Sequence, residues 1–316
     1  MRAVAVPRFR APPQLMDLPQ PTAGTGEVLV RVTYAGVNPY DWKIADGILD
    51  GSRPHVFPLV LGVDAAGTVE AVGAGVSRFR AGERIFGQFL HSPVGTGTYA
   101  EWTVVPAANA VAAVPSEMAL DEAAALPTAG MTAYASLELL GLSAGSSLLI
   151  VGASGGIGSF ATELAASRGI RVIAVARAAS AERLRALGAN EVFDPGSGDV
   201  RALVAKSHAG GVDGLLDVMN DRQAFAEWTS VTRRGGAAVS SVYSADSESL
   251  QWAGLRGGNV DLQPSAELLS ALAEEVSVHH LRVPLERRIR LPDAPLVLAE
   301  LRAGRASGKT VVDLSS

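Results

Sequence analysis

The sequence predicts an α/β protein with two parts, a mainly antiparallel β domain and a doubly wound parallel sheet. Residues 1 to about 110 consist of short β-branched runs separated by Gly and Pro, a pattern typical of antiparallel strands. From Leu148 onward, apolar strand-like runs alternate with helical segments, which indicates a parallel sheet covered by helices. The chain has 316 residues, a length that predicts about two domains.

The β domain is predicted from three short runs rich in β-branched residues, at Val28–Val32, Thr68–Val72 and Ala100–Val105. The composition changes after Pro115, where the chain becomes rich in Ala and Leu. A helix is predicted over Ala129–Leu140, because the chain is rich in Ala and Leu from Asp121 onward.

Strands and helices then alternate through the middle of the chain. The predicted strands are Leu148–Val151, Arg171–Val175, Glu191–Asp194, Gly214–Val218 and Ala237–Val242, and the predicted helices between them are Ser159–Arg168, Ala181–Leu187 and Asp199–Lys206. A further strand is predicted at Asn259–Gln263. A helix follows, with Ser265 as its N-cap and with Leu268, Leu269, Leu272 and Val276 on one face.

Two strand-like segments, 282–290 and 309–314, close the chain. They are expected to return to the β domain, because the first third of the chain already holds the antiparallel strands. The predicted domains are therefore residues 1–122 together with 264–316, and residues 123–263.

The composition excludes several classes of protein. The net charge is -5 with no Lys/Arg-rich run, so neither nucleic acid nor an anionic membrane is expected as a partner. The absence of cysteine excludes disulfides, thiol catalysis and thiolate–metal sites. The N-terminal MRAVAVPRF lacks the apolar segment of a signal peptide, and no apolar run approaches the roughly 20 residues of a membrane span. A cytoplasmic enzyme is expected.

A glycine-rich turn follows the predicted strand Leu148–Val151 and opens the next helix. In the pattern A-x-G-x-x-G, Gly155 allows the backbone to approach a pyrophosphate and Gly158 allows close helix–strand packing. An ordinary tight turn is the alternative, but the strand–turn–helix context favours a dinucleotide site. The predicted phosphate-binding residues are Gly152, Ala153, Ser154, Gly155, Gly156, Ile157 and Gly158.

The residues after the second strand of this unit predict the cofactor. An NAD site is typified by a carboxylate at the end of that strand, whereas here Arg177 follows it and Arg183 lies further on. An arginine can bind a 2′-phosphate that a carboxylate would repel. NADPH is therefore the predicted cofactor. The alternative is that both arginines are solvated surface residues without a role in binding.

The chain resembles the zinc-independent, quinone oxidoreductase type of medium-chain dehydrogenase/reductase along nearly its whole length. The matching segments are AGVNPYDWKIADG (35–47), FPLVLGVDAAGTVEAVGAGVSRF (57–79), GTYAEWTVVP (97–106), EAAALPTAGMTAY (122–134), GASGGIGSFATELA (152–165) and ASGKTVVDL (306–314). The resemblance implies a GroES-like domain and a Rossmann domain. It also implies cofactor contacts from Thr132, Ser241, Val242 and Asn259, and a homodimer formed through edge strands of the nucleotide domain.

The resemblance also bears on Asp64, the one carboxylate in the small-residue run LGVDAAGTV. In zinc alcohol dehydrogenases a Cys stands in place of Asn38 and a His-Glu pair in place of Val63-Asp64. Without those ligands no metal is expected. Asp64 is then interpreted as an acid bonded to backbone amides or a basic group, rather than as a metal ligand or a catalytic group.

The predicted activity is reduction of quinones or α,β-unsaturated carbonyl compounds, small molecules whose developing charge needs only hydrogen-bond donors. Asn38 and Tyr40 are the predicted catalytic residues. The alternative for Tyr40 is an aromatic residue that lines the cleft or packs in the core. Asp41 is interpreted as the cap of a helix at Trp42–Ala45 or as a partner of Lys43. A catalytically silent NADPH-binding sensor is the alternative function. A short-chain reductase is excluded, because no Tyr has a Lys four residues later.

Overall fold

A computed structural model describes residues 1–315. Its strands, in chain order, are β1 (Arg2–Val6), β2 (Gln14–Asp17), β3 (Glu27–Gly36), β4 (His55–Val60), β5 (Asp64–Val72), β6 (Arg84–Gln88), β7 (Val94–Thr96), β8 (Trp102–Pro106), β9 (Val111–Ala113), β10 (Ser147–Val151), β11 (Arg171–Val175), β12 (Ala189–Phe193), β13 (Val212–Asp217), β14 (Thr232–Ser240), β15 (Arg256–Asn259), β16 (Leu285–Arg290) and β17 (Lys309–Asp313).

The helices lie before, between and after these strands. In chain order they are α1 (Pro39–Ala45), α2 (Leu120–Ala125), α3 (Pro127–Leu140), α4 (Gly156–Ser167), α5 (Ala181–Ala186), α6 (Val200–Ser207), α7 (Arg222–Thr229), α8 (Ser247–Ala253), α9 (Ala266–Val278) and α10 (Ala294–Arg302). Across residues 1–315, no helix has the length and apolar character that crossing a membrane requires.

The chain forms two compact units. The first consists of Met1–Ala129, Pro264–Val278 and the chain from Leu285 onward, and the second of Gly130–Gln263 with His279–Pro284. The boundaries predicted from sequence, residues 1–122 with 264–316 and residues 123–263, stay a prediction.

The second unit contains a parallel sheet in the order β12-β11-β10-β13-β14-β15. Apolar strands are buried on both faces, with Leu149, Ile173 and Leu215 fully enclosed. The chain reverses its direction of winding between β10 and β13. In such sheets a ligand binds at the carboxyl ends of the strands where this reversal occurs. The predicted Rossmann-like sheet is confirmed.

The first unit contains two mainly antiparallel sheets. One has the order β2-β1-β4-β7, and the other runs β16-β17-β3-β5-β6-β9, with β8 also paired to β3. β17 lies antiparallel to β3, with Val311 opposite Gly36. The C-terminal segment therefore completes the β domain, as the sequence predicted.

Two of the differences between the predicted and the observed elements concern β15 and α1. The edge strand is Arg256–Asn259 rather than Asn259–Gln263, because Gly257 approaches β14 closely: an added Cβ would lie 2.9 Å from the carbonyl carbon of Ala238. Gly257, which resembles a loop residue in the sequence, is thus required within the strand. Helix α1 begins at Pro39 with Asn38 as its N-cap, so the predicted start at Trp42 with Asp41 as N-cap is wrong. Asp41 still caps the helix, because its side chain accepts the Asn38 backbone N–H from the third helical position.

The helix predicted after Ser265 is confirmed. The Ser265 hydroxyl accepts the Leu268 N–H at 3.1 Å, which satisfies one amide of the first turn of α9. Leu269, Leu272 and Val276 are buried on one face, whereas Leu268, predicted for the same face, is only half-buried.

Candidate functional site

The glycine-rich turn joins β10 to α4 at the carboxyl edge of the parallel sheet. Gly155 is the N-cap of α4, and Gly156 and Ile157 follow in its first turn. These three residues are only partly buried. Because the first amides of a helix have no intrahelical acceptor, they form a site for an anion.

The glycines of this turn have different tasks. Gly152 has a φ of 87°, which other residues adopt only with strain. A Cβ on Gly158 would lie 2.6 Å from the Cα of Ala153, so this glycine is needed for packing. A Cβ on Gly155 would meet nothing closer than 3.5 Å. The space above Gly155 is therefore open, as a cradle for a phosphate group requires, and the turn fits a dinucleotide.

The two arginines of the predicted cofactor site lie in different environments. Arg177 is exposed at the end of β11. Arg183 is half-buried and donates to the Ser159 hydroxyl at 2.9 Å and to the Ser154 carbonyl at 2.9 Å. Arg183 therefore braces the glycine-rich turn, whereas the Arg177 guanidinium is accessible to a ligand.

The other predicted cofactor residues are distributed over the second unit. Thr132 is buried in α3, and its carbonyl accepts the Ser136 hydroxyl. Ser241 and Val242 directly follow β14, and the buried Ser241 hydroxyl has no partner within residues 1–315. Asn259 binds the backbone N–H and carbonyl of Ala245, each at 2.9 Å, which gives its amide a structural role. Cofactor contact by these four residues stays a prediction.

The first unit holds a buried polar cluster, defined here by the buried residues Asn38, Asp41, Asp64, Tyr99 and Lys309 and the half-buried Thr128. Strand register brings its distant parts together. Asp64 lies opposite Gly36 across β3 and β5. Val311 also lies opposite Gly36, on the other side of β3. Continuing that antiparallel register places Lys309 beside Asn38.

Asp64 is fully buried, and both of its carboxylate oxygens accept hydrogen bonds. It accepts hydrogen bonds from the Asn38 side-chain amide at 2.8 Å and from the Thr128 backbone and hydroxyl at 3.0 and 2.7 Å. The Lys309 ammonium lies 3.7 Å away. Donors thus surround both carboxylate oxygens, an arrangement that suits the ionised form. The interpretation of Asp64 as a satisfied acid is confirmed.

Asp41 is the second buried carboxyl group of the cluster. Its Oδ2 accepts the Asn38 backbone N–H and the Tyr99 hydroxyl, both at 2.7 Å, and within residues 1–315 its Oδ1 has no hydrogen-bond partner. Burial raises the pKa of Asp41 to about 7, although these hydrogen bonds lower it. Burial also raises the pKa of Tyr99, and the Asp41 charge adds to that rise.

Lys309 supplies the positive charge of the cluster. Its side chain is almost fully buried, and its ammonium donates to the Asn38 side-chain oxygen at 2.6 Å and to the Val37 carbonyl at 3.0 Å. Burial lowers the pKa of Lys309, while the Asp64 carboxylate raises it. Because Asp64 is surrounded by donors, we assign the pair as carboxylate and ammonium.

The two predicted catalytic residues lie in different environments, one polar and one apolar. Asn38 belongs to the buried polar cluster and is bonded on both sides of its amide. Tyr40 is half-buried and packs on the apolar core of the first unit, which agrees with the lining role. A pocket beside the cluster is lined by Asp41, His91 and Thr96 among other residues.

Sequence reasoning missed three members of the cluster, Tyr99, Thr128 and Lys309. Lys309 had a usable signal, because it is a lone charge at the start of the apolar strand sequence TVV and such a charge needs a partner. Tyr99 and Thr128 had none, because their roles depend on contacts with residues 58 and 64 positions away.

Comparison with known proteins agrees with this architecture. Residues 24–116 match the family described as alcohol dehydrogenase GroES-like domain, and residues 156–274 match the family described as zinc-binding dehydrogenase. The two matches lie mainly in the first and the second unit, respectively.

Individual relatives are also described as dehydrogenases or oxidoreductases. An alcohol dehydrogenase of Geobacillus stearothermophilus is 31% identical over 263 residues, which cover 76% of this chain and 77% of the relative. A chloroplast envelope quinone oxidoreductase homolog of Arabidopsis thaliana is 36% identical over 185 residues, covering 57% of this chain and 55% of the relative. The chain thus matches about half the length of such chloroplast relatives. The quinone oxidoreductase structure from Coxiella burnetii superposes with a TM-score of 0.86 at 26% identity, covering 99% of both chains.

The name of the second matched family implies a zinc ion, but the residues of this chain do not fit one. The resemblance to zinc alcohol dehydrogenases puts catalytic zinc ligands at the positions of Asn38 and Val63. The Asn38 amide is engaged on both sides, and Val63 has no donor atom. The Lys309 ammonium beside Asp64 would also repel a cation. Within the part of the chain that the structure describes, no three His, Asp or Glu residues cluster as metal ligands.

Proposed function

The chain belongs to the medium-chain dehydrogenase/reductase family, and on this premise we propose that it is an NADPH-dependent reductase of quinones or α,β-unsaturated carbonyl compounds. The observation that carries the proposal is the buried polar cluster. It contains a fixed amide donor, Asn38, and the Lys309 ammonium in place of a metal ion. Such a site suits substrates whose negative charge is delocalised and needs only hydrogen bonds.

The chemistry of the proposal divides between cofactor and chain. Bound NADPH supplies a hydride to the β-carbon of an enone or to a quinone ring, leaving NADP⁺ and an enolate or hydroquinone anion. Asn38 donates an N–H to the oxygen on which the charge develops. A proton from solvent then completes the saturated carbonyl compound or the hydroquinone. Simple alcohols and ketones are poor substrates under this proposal, because an alkoxide localises its charge on one oxygen.

The second unit supplies the proposed cofactor site. The pyrophosphate binds at the amides of Gly155, Gly156 and Ile157, at the N-terminus of α4. The exposed Arg177 binds the 2′-phosphate. The buried Ser241 hydroxyl, which has no partner among the described residues, is a further polar contact for the cofactor.

Assembly is a separate part of the proposal. β15 is the edge of the parallel sheet, and pairing of two β15 edges in a homodimer would continue that sheet. Light scattering after size-exclusion chromatography measures the mass directly. A monomeric mass at micromolar concentration would contradict the homodimer.

The reaction is tested by NADPH oxidation with a panel of small enones and quinones. We expect the protein to oxidise NADPH with members of this panel. Asn38→Ala should lower the rate roughly 10-fold, a smaller loss than is typical when the only hydrogen-bond donor to an oxyanion is removed. With NADPH deuterated at the transferred position, the label should appear at the β-carbon of the reduced enone. Label at a carbonyl carbon with fast alcohol oxidation would contradict the proposal, and tight NADPH binding without turnover would favour the silent sensor.

A further inference from the structure

We propose that Lys309 is a positioning residue that fixes and polarises the side-chain amide of Asn38, so that its second N–H is the donor to the substrate oxygen. The inference rests on the proposed function, because it assumes the donor role of Asn38. It adds a residue that acts through Asn38 and does not itself touch the substrate.

The first argument is the orientation of the amide. The Lys309 ammonium can only donate, so the group at 2.6 Å from it must be the Asn38 oxygen. The Asp64 carboxylate can only accept, so the group at 2.8 Å from its Oδ2 must be the Asn38 nitrogen. Lys309 and Asp64 therefore both favour the amide orientation in which the oxygen faces Lys309 and the nitrogen faces Asp64.

The second argument is the unused hydrogen of Asn38. Asn38 is only 3% exposed, and one of its two amide hydrogens is bonded to Asp64. No contact within residues 1–315 takes up the other. Because an unpaired N–H is costly to bury, this hydrogen points to a bound ligand as its partner.

The third argument is polarisation. An amide whose oxygen accepts from a cation loses electron density at nitrogen, so its N–H becomes a stronger donor. The effect is large in a buried site, where hydrogen bonds in a chain strengthen one another. Lys309 thus gives a neutral amide part of the stabilising power of a positive charge.

The simpler explanation is that Lys309 only neutralises Asp64. The double substitution Lys309→Met with Asp64→Asn separates the two, because it removes both charges while the introduced amide keeps an oxygen for Thr128 and Asn38. If neutralisation were the whole role, the double variant would keep the wild-type kcat. We instead expect kcat to fall about 10-fold, the scale of a weakened oxyanion donor. NADPH affinity should remain unchanged, whereas the thermal transition should fall, because Met leaves the Val37 carbonyl and the Asn38 oxygen without their donor.

A readout that does not depend on turnover is the NMR signal of the Asn38 side-chain amide, assigned by its loss in Asn38→Ala. We expect this signal to shift in the double variant and to stay in place in Lys206→Met, which removes an exposed lysine of α6. An unshifted signal, or a wild-type kcat in the double variant, would overturn the role of Lys309.

Two further outcomes are distinguishable. If the wild-type protein reduces no enone or quinone, the proposed function fails, while the NMR signal still decides whether Lys309 holds the amide. If the double variant does not fold, Lys309→Gln with Asp64→Asn retains a neutral donor to Asn38. Its kcat should then lie between those expected for wild type and for a protein without the donor, and a wild-type value would overturn the polarising role.

Discussion

The glycine-rich turn and the buried polar cluster are two different ways of building a site. The turn is a contiguous stretch, Gly152 to Gly158, and presents backbone amides at a partly exposed helix N-terminus. The cluster draws its side chains from segments as far apart as Asn38 and Lys309, and buries them. One site depends on local backbone geometry, and the other on the register of β3 with β5 and β17.

This difference determines what each site tolerates. At the turn, a substitution acts through the space that the backbone leaves for a side chain or a phosphate. In the cluster, a substitution leaves a charge or a donor unpaired in a buried environment, so its effect depends on the partners that remain. The difference between the two sites can therefore be tested with two kinds of variant. At the turn, the variants change stability and cofactor binding separately; in the cluster, they remove a charge but keep its hydrogen bonds.

At the glycine-rich turn, the largest effect is expected for Gly158→Ala. The new Cβ would lie 2.6 Å from the Ala153 Cα, and neither backbone segment can move without displacing α4 from β10. We expect the free energy of unfolding to fall by roughly 1–3 kcal/mol, as for other overpacked sites, and NADPH binding to be lost. Chemical denaturation and a fluorescence titration with NADPH measure the two quantities.

Gly155→Ala is the matched control. Its Cβ meets nothing closer than 3.5 Å, and its φ of -75° suits alanine. The stability should stay within about 0.5 kcal/mol of wild type. NADPH affinity should nevertheless fall about 10-fold or more, because the Cβ occupies space that the pyrophosphate needs and a charge-assisted hydrogen bond is lost. Unchanged affinity would mean that the phosphate does not bind at this turn.

The sequence allowed the turn to be predicted and the cluster only in part. Strand, glycines and helix start are adjacent in the sequence, so Gly152–Gly158 could be placed without knowledge of the tertiary structure. Asp64 could be interpreted as satisfied because its neighbours are apolar, but its partner Lys309 depends on strand pairing between the two ends of the chain. The edge strand Arg256–Asn259 was missed for a similar reason, because only its contact with β14 explains Gly257.

A second prediction concerns the pH dependence that Asp41 gives to stability. Burial raises its pKa from 3.8 to about 7, so the folded state keeps a proton that the unfolded state releases. Stability is therefore lost as the pH rises through this window, by about 1.4 kcal/mol for each pH unit. Asp41→Asn keeps an acceptor for Tyr99 and Asn38 but cannot ionise, so it should remove this contribution and be the more stable protein at pH 7.

Denaturant unfolding at pH 4, 5.5 and 7 measures this contribution. The difference between Asp41→Asn and wild type should be small at pH 4 and grow toward pH 7. Glu248→Gln, which removes an exposed carboxylate on α8, should not reproduce the trend. A constant difference at all three pH values would show that folding does not raise the pKa of Asp41.

A third prediction distinguishes the two arginines of the second unit. Arg177→Ala should weaken NADPH binding about 10- to 150-fold and leave the affinity for NADH nearly unchanged. This range corresponds to the loss of a charge-assisted contact of roughly 1.5–3 kcal/mol. Arg183→Ala should weaken both cofactors, because Arg183 braces the turn through Ser154. Arg185→Ala, an exposed neighbour on α5, serves as the control. Equal affinity of the wild-type protein for NADPH and NADH would contradict the assignment of Arg177.

The smallest effect is expected for removal of metal ions. Asn38 and Val63 replace the ligands that zinc needs, and the Lys309 ammonium supplies the local positive charge, so dialysis against a chelator should leave activity with enones unchanged. Elemental analysis should find no stoichiometric zinc, and a zinc alcohol dehydrogenase treated in parallel should lose its activity. One tightly bound zinc per chain, with activity lost on its removal, would mean that the cluster opens to bind a metal. The carboxylate of Asp64 would then be its first candidate ligand, and the pairing with Lys309 would describe only the metal-free protein.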